Sequence, residues 1–155
     1  MILKIGDKAP EFELHADNGK IISLSEFYDQ KNIVLYFYPK DNTPGCTVEA
    51  KDFRDNIEEF SRLNTVVIGA SKDSIRSHIN FKIKYSLPFC LISDESTEVL
   101  QKYGVWVEKS MFGKKYMGIE RATFLIDKSG IIKQIWRNVK VNGHVLKVLK
   151  EIKNE

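Results

Sequence analysis

The segment Thr43-Pro44-Gly45-Cys46 sets a cysteine where its reactivity can change. An unperturbed thiol has a pKa of about 8.5 and is a weak nucleophile at neutral pH. Proline at position 44 pushes Thr43 out of the α region and suits the first position of a helix. Thr43 is then the N-cap and Cys46 the third helical residue, near unpaired N–H groups at the positive end of the macrodipole. Gly45 removes a neighbouring side chain and lets a small substrate approach the backbone. For a thiol in general, a drop from about 8.5 to about 6 gains only about 30-fold in thiolate at pH 7. A fast reaction therefore needs further donors to stabilise charge on a leaving atom, each worth roughly 100- to 1000-fold. The candidates are the Thr43 hydroxyl, the Gly45 and Cys46 N–H groups, and a guanidinium from elsewhere in the chain.

Other chemistries have little to stand on. The two cysteines, Cys46 and Cys90, form no C-x-x-C pair, and His15, His78 and His144 match no metal-ligand spacing. The histidines read as surface or satisfied structural residues, and no metal or cofactor is expected. Net charge is +3 with both signs interspersed, which gives no track for nucleic acid. Met1–Leu14 carries five charges and no apolar core of a leader, and no run is long enough to span a membrane. The expectation is one domain over residues 1–155 in the reducing cytoplasm.

The elements that must hold Cys46 follow from periodicity. Phe12–Leu24 reads as a hairpin turning at Asp17-Asn18-Gly19. Ile33–Tyr38 is an apolar run suited to a strand buried on both faces, and Thr65–Ala70 is a second. Between them Ala50, Phe53, Ile57 and Phe60 recur at helical spacing as one helix behind Cys46. Asp73 or Ser74 caps a helix through Tyr85, Phe89–Ile92 is a short strand, and Thr97–Tyr103 is a helix stopped by Gly104. Val105–Gly118 reads as an irregular loop with some strand, in which Trp106, Phe112 and Tyr116 serve packing. Ala122–Asp127 and Ile131–Trp136 form a hairpin, and Gly143–Ile152 a final helix. The order implies an α/β chain of thioredoxin-like layout. It has a central mixed five-stranded sheet flanked by helices, an N-terminal β-hairpin and an inserted βα unit.

The run Pro39-Lys40-Asp41-Asn42-Thr43-Pro44-Gly45-Cys46 resembles the P-x-x-x-T-x-x-C motif of peroxiredoxins. Gly6–Pro10, Glu49-Ala50, Asp52–Arg54, Leu87–Phe89, Tyr103–Trp106 and Arg121–Asp127 extend the resemblance to the bacterioferritin-comigratory protein or peroxiredoxin Q subgroup. It implies that Cys46 is the peroxidatic cysteine, oxidised to sulfenic acid. It further implies that Thr43 hydrogen-bonds the thiolate and peroxide, that Arg121 supports the thiolate and polarises the peroxide, and that Pro39 shields the sulfur. Thr43, Gly45, Cys46 and Arg121 would bind the hydroperoxide, with thioredoxin or another thiol as reductant and a monomer or weak homodimer as assembly. One departure stands out. Lys51 occupies a usual position of the resolving cysteine, and Phe81-Lys82-Ile83, another, also lacks one. Cys90 is expected at the opposite end of the sheet from Cys46, as a small buried hydrophobe and not a resolving thiol. A one-cysteine peroxidase is therefore the leading expectation, with a peroxide-sensing relay protein as the alternative and a catalytically silent thioredoxin-like module as a third reading.

Overall fold

In the computed structural model, which describes residues 2–155, the central strand is β3 (Asn32–Phe37). Its apolar run is buried because both its faces are covered: Ile33, Leu35 and Phe37 join one hydrophobic cluster, and Val34, Tyr36 and Tyr38 the other. β3 pairs in parallel with β4 (Thr65–Ser71) and antiparallel with β8 (Ala122–Ile126). β5 (Cys90–Ser93) adds in parallel outside β4, and β9 (Ile132–Trp136) antiparallel outside β8. The mixed sheet thus runs β5-β4-β3-β8-β9. A short hairpin, β1 (Glu13–His15) with β2 (Ile21–Ser23), precedes it.

Tyr36 lies opposite Gly69 in the parallel register. A Cβ on Gly69 would stand 2.9 Å from Leu91 Cδ2 and 3.0 Å from Tyr36 Cζ, so only glycine lets that ring lie over the strand. Tyr36 then stacks on Phe53 at 4.5 Å between ring centroids.

The helix behind Cys46 is two helices. α1 (Pro44–Asp55) ends at Asn56, whose side-chain amide donates to the Asp52 carbonyl at 2.8 Å, and α2 (Ile57–Arg62) starts anew. Phe53 and Phe60 remain packed together across the break, 5.7 Å between ring centroids. The apolar period continued across a bend that it does not encode. α3 (Ile75–Tyr85) is capped by Ser74, whose hydroxyl accepts from the Ser77 N–H at 3.1 Å. α4 (Glu98–Lys102) is followed by Gly104 in the left-handed region, and α5 (His144–Lys153) closes the chain.

The segment expected to be an irregular loop is instead a regular antiparallel hairpin, β6 (Trp106–Met111) with β7 (Lys114–Ile119). Most of its residues are exposed or only half-buried on both faces, so no alternation marked it as strand. Phe112 at its tip is 97% exposed and Tyr116 is also exposed, so neither serves the packing expected of them.

Candidate active site

Four residues of α1 turn inward: Cys46, Glu49, Ala50 and Phe53, the spacing of one helical face. Thr43 is extended at φ −94° and ψ 157°, and Pro44 begins the helix, which makes Cys46 its third residue. The first N–H used within α1 is that of Thr47, which donates to the Thr43 carbonyl at 2.8 Å. The N–H groups of Gly45 and Cys46 precede it and belong to the unpaired set at a helix start. The sulfur is nearly enclosed, with Cys46 2% exposed.

Arg121 precedes β8 and reaches across to α1. Its Nη1 donates to Glu49 Oε1 at 2.7 Å, and its Nη2 to Cys46 Sγ at 3.5 Å. Antiparallel pairing of β8 with β3, Ala122 opposite Phe37, brings these distant positions to one end of the sheet. A Cβ on Gly45 would lie 3.2 Å from Arg121 Nη2. The space that Gly45 leaves is therefore filled by the guanidinium and not left for a substrate.

Glu49 is the residue whose role the sequence did not disclose. It is fully buried, and burial raises its carboxyl to about 7 even though Arg121 pulls the other way. Glu49 Oε2 and the Tyr36 hydroxyl are both buried without a hydrogen-bond partner among the described residues. Burial, then the charges of Glu49 and Cys46, push the Tyr36 phenol well above its ordinary range. Burial works against the charge on Arg121, yet Glu49 and Cys46 together raise its affinity for the proton. The available signal was positional: an acid three residues after the cysteine, on a helix face otherwise given to Ala50 and Phe53.

The Thr43 hydroxyl, expected on the sulfur, donates instead to the Lys40 carbonyl at 2.7 Å and makes no cap bond. The loop turns between these residues, Asn42 at φ +59°, and brings the Lys40 carbonyl within reach of the hydroxyl. Pro39 lines a cavity of about 600 Å³ together with Val107, Lys109, Arg121 and Val139. Glu108, Glu120 and Asn138 complete its lining, so its walls are mixed, and Arg121 is the group it shares with Cys46.

Cys90 stands elsewhere. The register sets it opposite Ile68, and Ile68 opposite Leu35, so it lies level with the middle of β3 and not at the far end of the sheet. What separates the thiols is the sheet itself. Cys46 belongs to the cluster on one face, and Cys90 packs against the cluster on the other. Both are free, and burial raises the Cys90 thiol above its usual range, opposed in part by Lys82.

Cys46 thus stands at a helix start beside the guanidinium of Arg121, a setting that favours a thiolate. The AhpC/TSA family model matches residues 5–135. The chain belongs to this family of peroxiredoxins. It is 52% identical over 154 residues to the peroxiredoxin Bcp of Bacillus subtilis, spanning 99% of this chain and 98% of that protein. It is 43% identical over 152 residues to the Escherichia coli K12 peroxiredoxin Bcp, with 96% and 97% covered. Among solved structures, a mutant PrxQ from Xylella fastidiosa superposes with a TM-score of 0.93 at 37% identity, covering 99% of this chain and 98% of that one. The Xanthomonas campestris bacterioferritin comigratory protein, studied for alkyl peroxide reduction, matches with a TM-score of 0.90 at 38% identity over 99% and 97% of the two chains. This peroxiredoxin is a thiol-dependent peroxidase of thioredoxin-like fold, in the Bcp and peroxiredoxin Q group.

Proposed function

We propose that Cys46 reduces hydroperoxides by a one-cysteine cycle and that an external thiol regenerates it. The observation that carries this reading is the guanidinium of Arg121 at 3.5 Å from Cys46 Sγ, at the start of α1. The thiolate attacks the terminal oxygen of R–O–O–H. An S–O bond forms as the O–O bond breaks, and the departing RO⁻ takes a proton to leave as alcohol or water. Cys46 becomes a sulfenic acid, oxidised by two electrons. Arg121 and the Gly45 and Cys46 N–H groups supply donors where charge develops on the leaving oxygen. Thr43 sets the loop that presents them, and Pro39 walls the entrance.

A reductant thiol then attacks the sulfenic sulfur, releasing water and leaving a mixed disulfide. A second thiol resolves it and returns Cys46 to the reduced form. Support comes from Lys51 at a usual resolving position and from the sheet lying between Cys46 and Cys90. Thioredoxin or a similar thiol is the proposed reductant. Hydrogen peroxide and organic hydroperoxides are the proposed substrates, since the cavity beside Arg121 offers the apolar side chains of Pro39, Val107 and Val139 alongside charged and polar groups. All of this rests in one domain of residues 1–155, acting as a monomer or weak homodimer in the cytoplasm, where it serves redox homeostasis.

The test is thiol-driven peroxide consumption by wild type, Cys46→Ser and Cys90→Ser. Loss in the first variant and retention in the second are expected. A Cys46–Cys90 disulfide forming stoichiometrically in peroxide-treated monomer, seen by mass spectrometry, would refute the one-cysteine cycle. A protein that is oxidised once by peroxide but not turned over by thioredoxin, glutathione or dithiothreitol would favour the sensing role.

A further inference from the structure

The loop before Cys46 is fastened to α3 by a buried network that the peroxide chemistry does not itself use. Asp41, 7% exposed, accepts from the Tyr38 hydroxyl at 2.6 Å through Oδ1 and from the Ser77 hydroxyl at 2.8 Å through Oδ2. The same Oδ2 lies 2.7 Å from Nδ1 of His78, which is fully buried. The Asp41 N–H donates to Asp73 Oδ2 at 2.9 Å. Asn42, at φ +59°, accepts on Oδ1 from Lys84 Nζ at 3.3 Å and from the Tyr85 hydroxyl at 3.1 Å. Two consecutive loop residues thus answer to α3 and the turn before it.

The hydrogen-bond inventory of His78 adds a constraint. Its Nε2 lies 3.0 Å from the Ile92 carbonyl, which only accepts, so this nitrogen carries a proton. The contact between Nδ1 and the Asp41 carboxyl then needs a second proton, borne by the ring or by the carboxyl. Whichever bears it, the pair is neutral as a whole, which a site closed to water favours over a lone charge. The ligand atoms of Asp41, Asp73 and His78 are close enough to suggest a metal site. Their oxygens, however, already face the hydroxyls of Tyr38, Ser71 and Ser77 and the Asp41 N–H, so a hydrogen-bond network explains the cluster.

We infer that Asp41 and His78 are positioning residues for peroxide reduction: their shared proton latches the Pro39–Thr43 loop to α3 and so fixes Cys46 against Arg121. The inference rests on Cys46 being the attacking thiol. Attack on an O–O bond demands alignment, and a shift of about 1 Å can cost roughly 100-fold. Simple alkylation demands much less.

The test measures two rates in parallel: oxidation of Cys46 by hydrogen peroxide in a single turnover, and alkylation of Cys46 by iodoacetamide. In Asp41→Ala and His78→Phe the peroxide rate should fall by roughly 10- to 100-fold, while alkylation stays equal or becomes faster as the enclosed sulfur opens. Asp41→Asn keeps the shape and can donate to a neutral His78, and it should recover to within about threefold of wild type. The double variant should be no slower than the worse single one, because both remove one latch. Parallel loss of both rates, Asp41→Asn as slow as Asp41→Ala, or losses that multiply in the double variant would each overturn the inference. Should His78→Phe not fold, His78→Gln with the two Asp41 variants decides. Wild-type protein that does not react with peroxide would strike the assignment of Cys46 itself, whereas a failed latch leaves wild-type activity intact.

Discussion

At the scale of single residues, Arg121 divides its donors between a sulfur and a carboxyl that titrates in the working range. Glu49 is raised by burial to about 7, and Arg121 only partly offsets this. Below that pH the carboxyl is neutral, and the guanidinium charge serves Cys46 alone. Above it, the Glu49 carboxylate competes for the same cation. The rate of peroxide attack should therefore show an ionisation near 7 that is absent from Glu49→Gln. Stopped-flow oxidation of Cys46 across this range provides the measurement. A Glu49→Gln profile with the same inflection as wild type would show that Glu49 does not set the charge at the thiol.

At the scale of elements, the central strand and the helix start were legible because their physics is local. An apolar run with β-branched and aromatic residues reads as a doubly covered strand, and Thr43-Pro44 reads as a helix start. The Arg121–Glu49 contact was not legible, because 72 positions separate the partners and only strand pairing unites them. The Thr43 hydroxyl bond to Lys40 was hidden for a different reason: it depends on loop geometry, to which a side chain's identity gives no clue. The β6–β7 hairpin escaped because exposure on both faces erases the alternation by which strands are recognised. Gly69 shows how one strand position supports the site. Gly69→Ala would drive a Cβ into Leu91 and Tyr36, whose ring packs on Phe53 in the cluster that contains Cys46. Overpacking of this type should lower stability by about 1–3 kcal/mol, read as a lower denaturant midpoint. An unchanged midpoint would mean that β3 and β4 can part without cost.

At the scale of the whole molecule, two buried titratable groups pull stability in opposite directions with pH. Glu49 is raised from 4.5 to about 7, so its contribution is complete below 4.5 and is lost as pH rises through 7. His144, whose Nε2 lies 2.8 Å from the Thr123 hydroxyl, is lowered by burial from 6.5 to about 4, so its contribution is complete above 6.5 and is lost as pH falls through 4. Between 4.5 and 6.5 the slopes oppose each other. Glu49→Gln should leave a protein that gains stability as pH rises through this window, and His144→Gln one that loses it. Denaturant melts of both variants across the window provide the check, and parallel profiles would contradict the opposition. The sheet that stands between Cys46 and Cys90 has a consequence of another kind. In the one-cysteine cycle we propose, Cys46 keeps its sulfenic acid until a second molecule arrives, and during that wait another peroxide can carry the sulfur on to sulfinic acid. The protein's working life is then counted in encounters: the ratio of reductant to peroxide fixes how many cycles each copy completes before it falls silent.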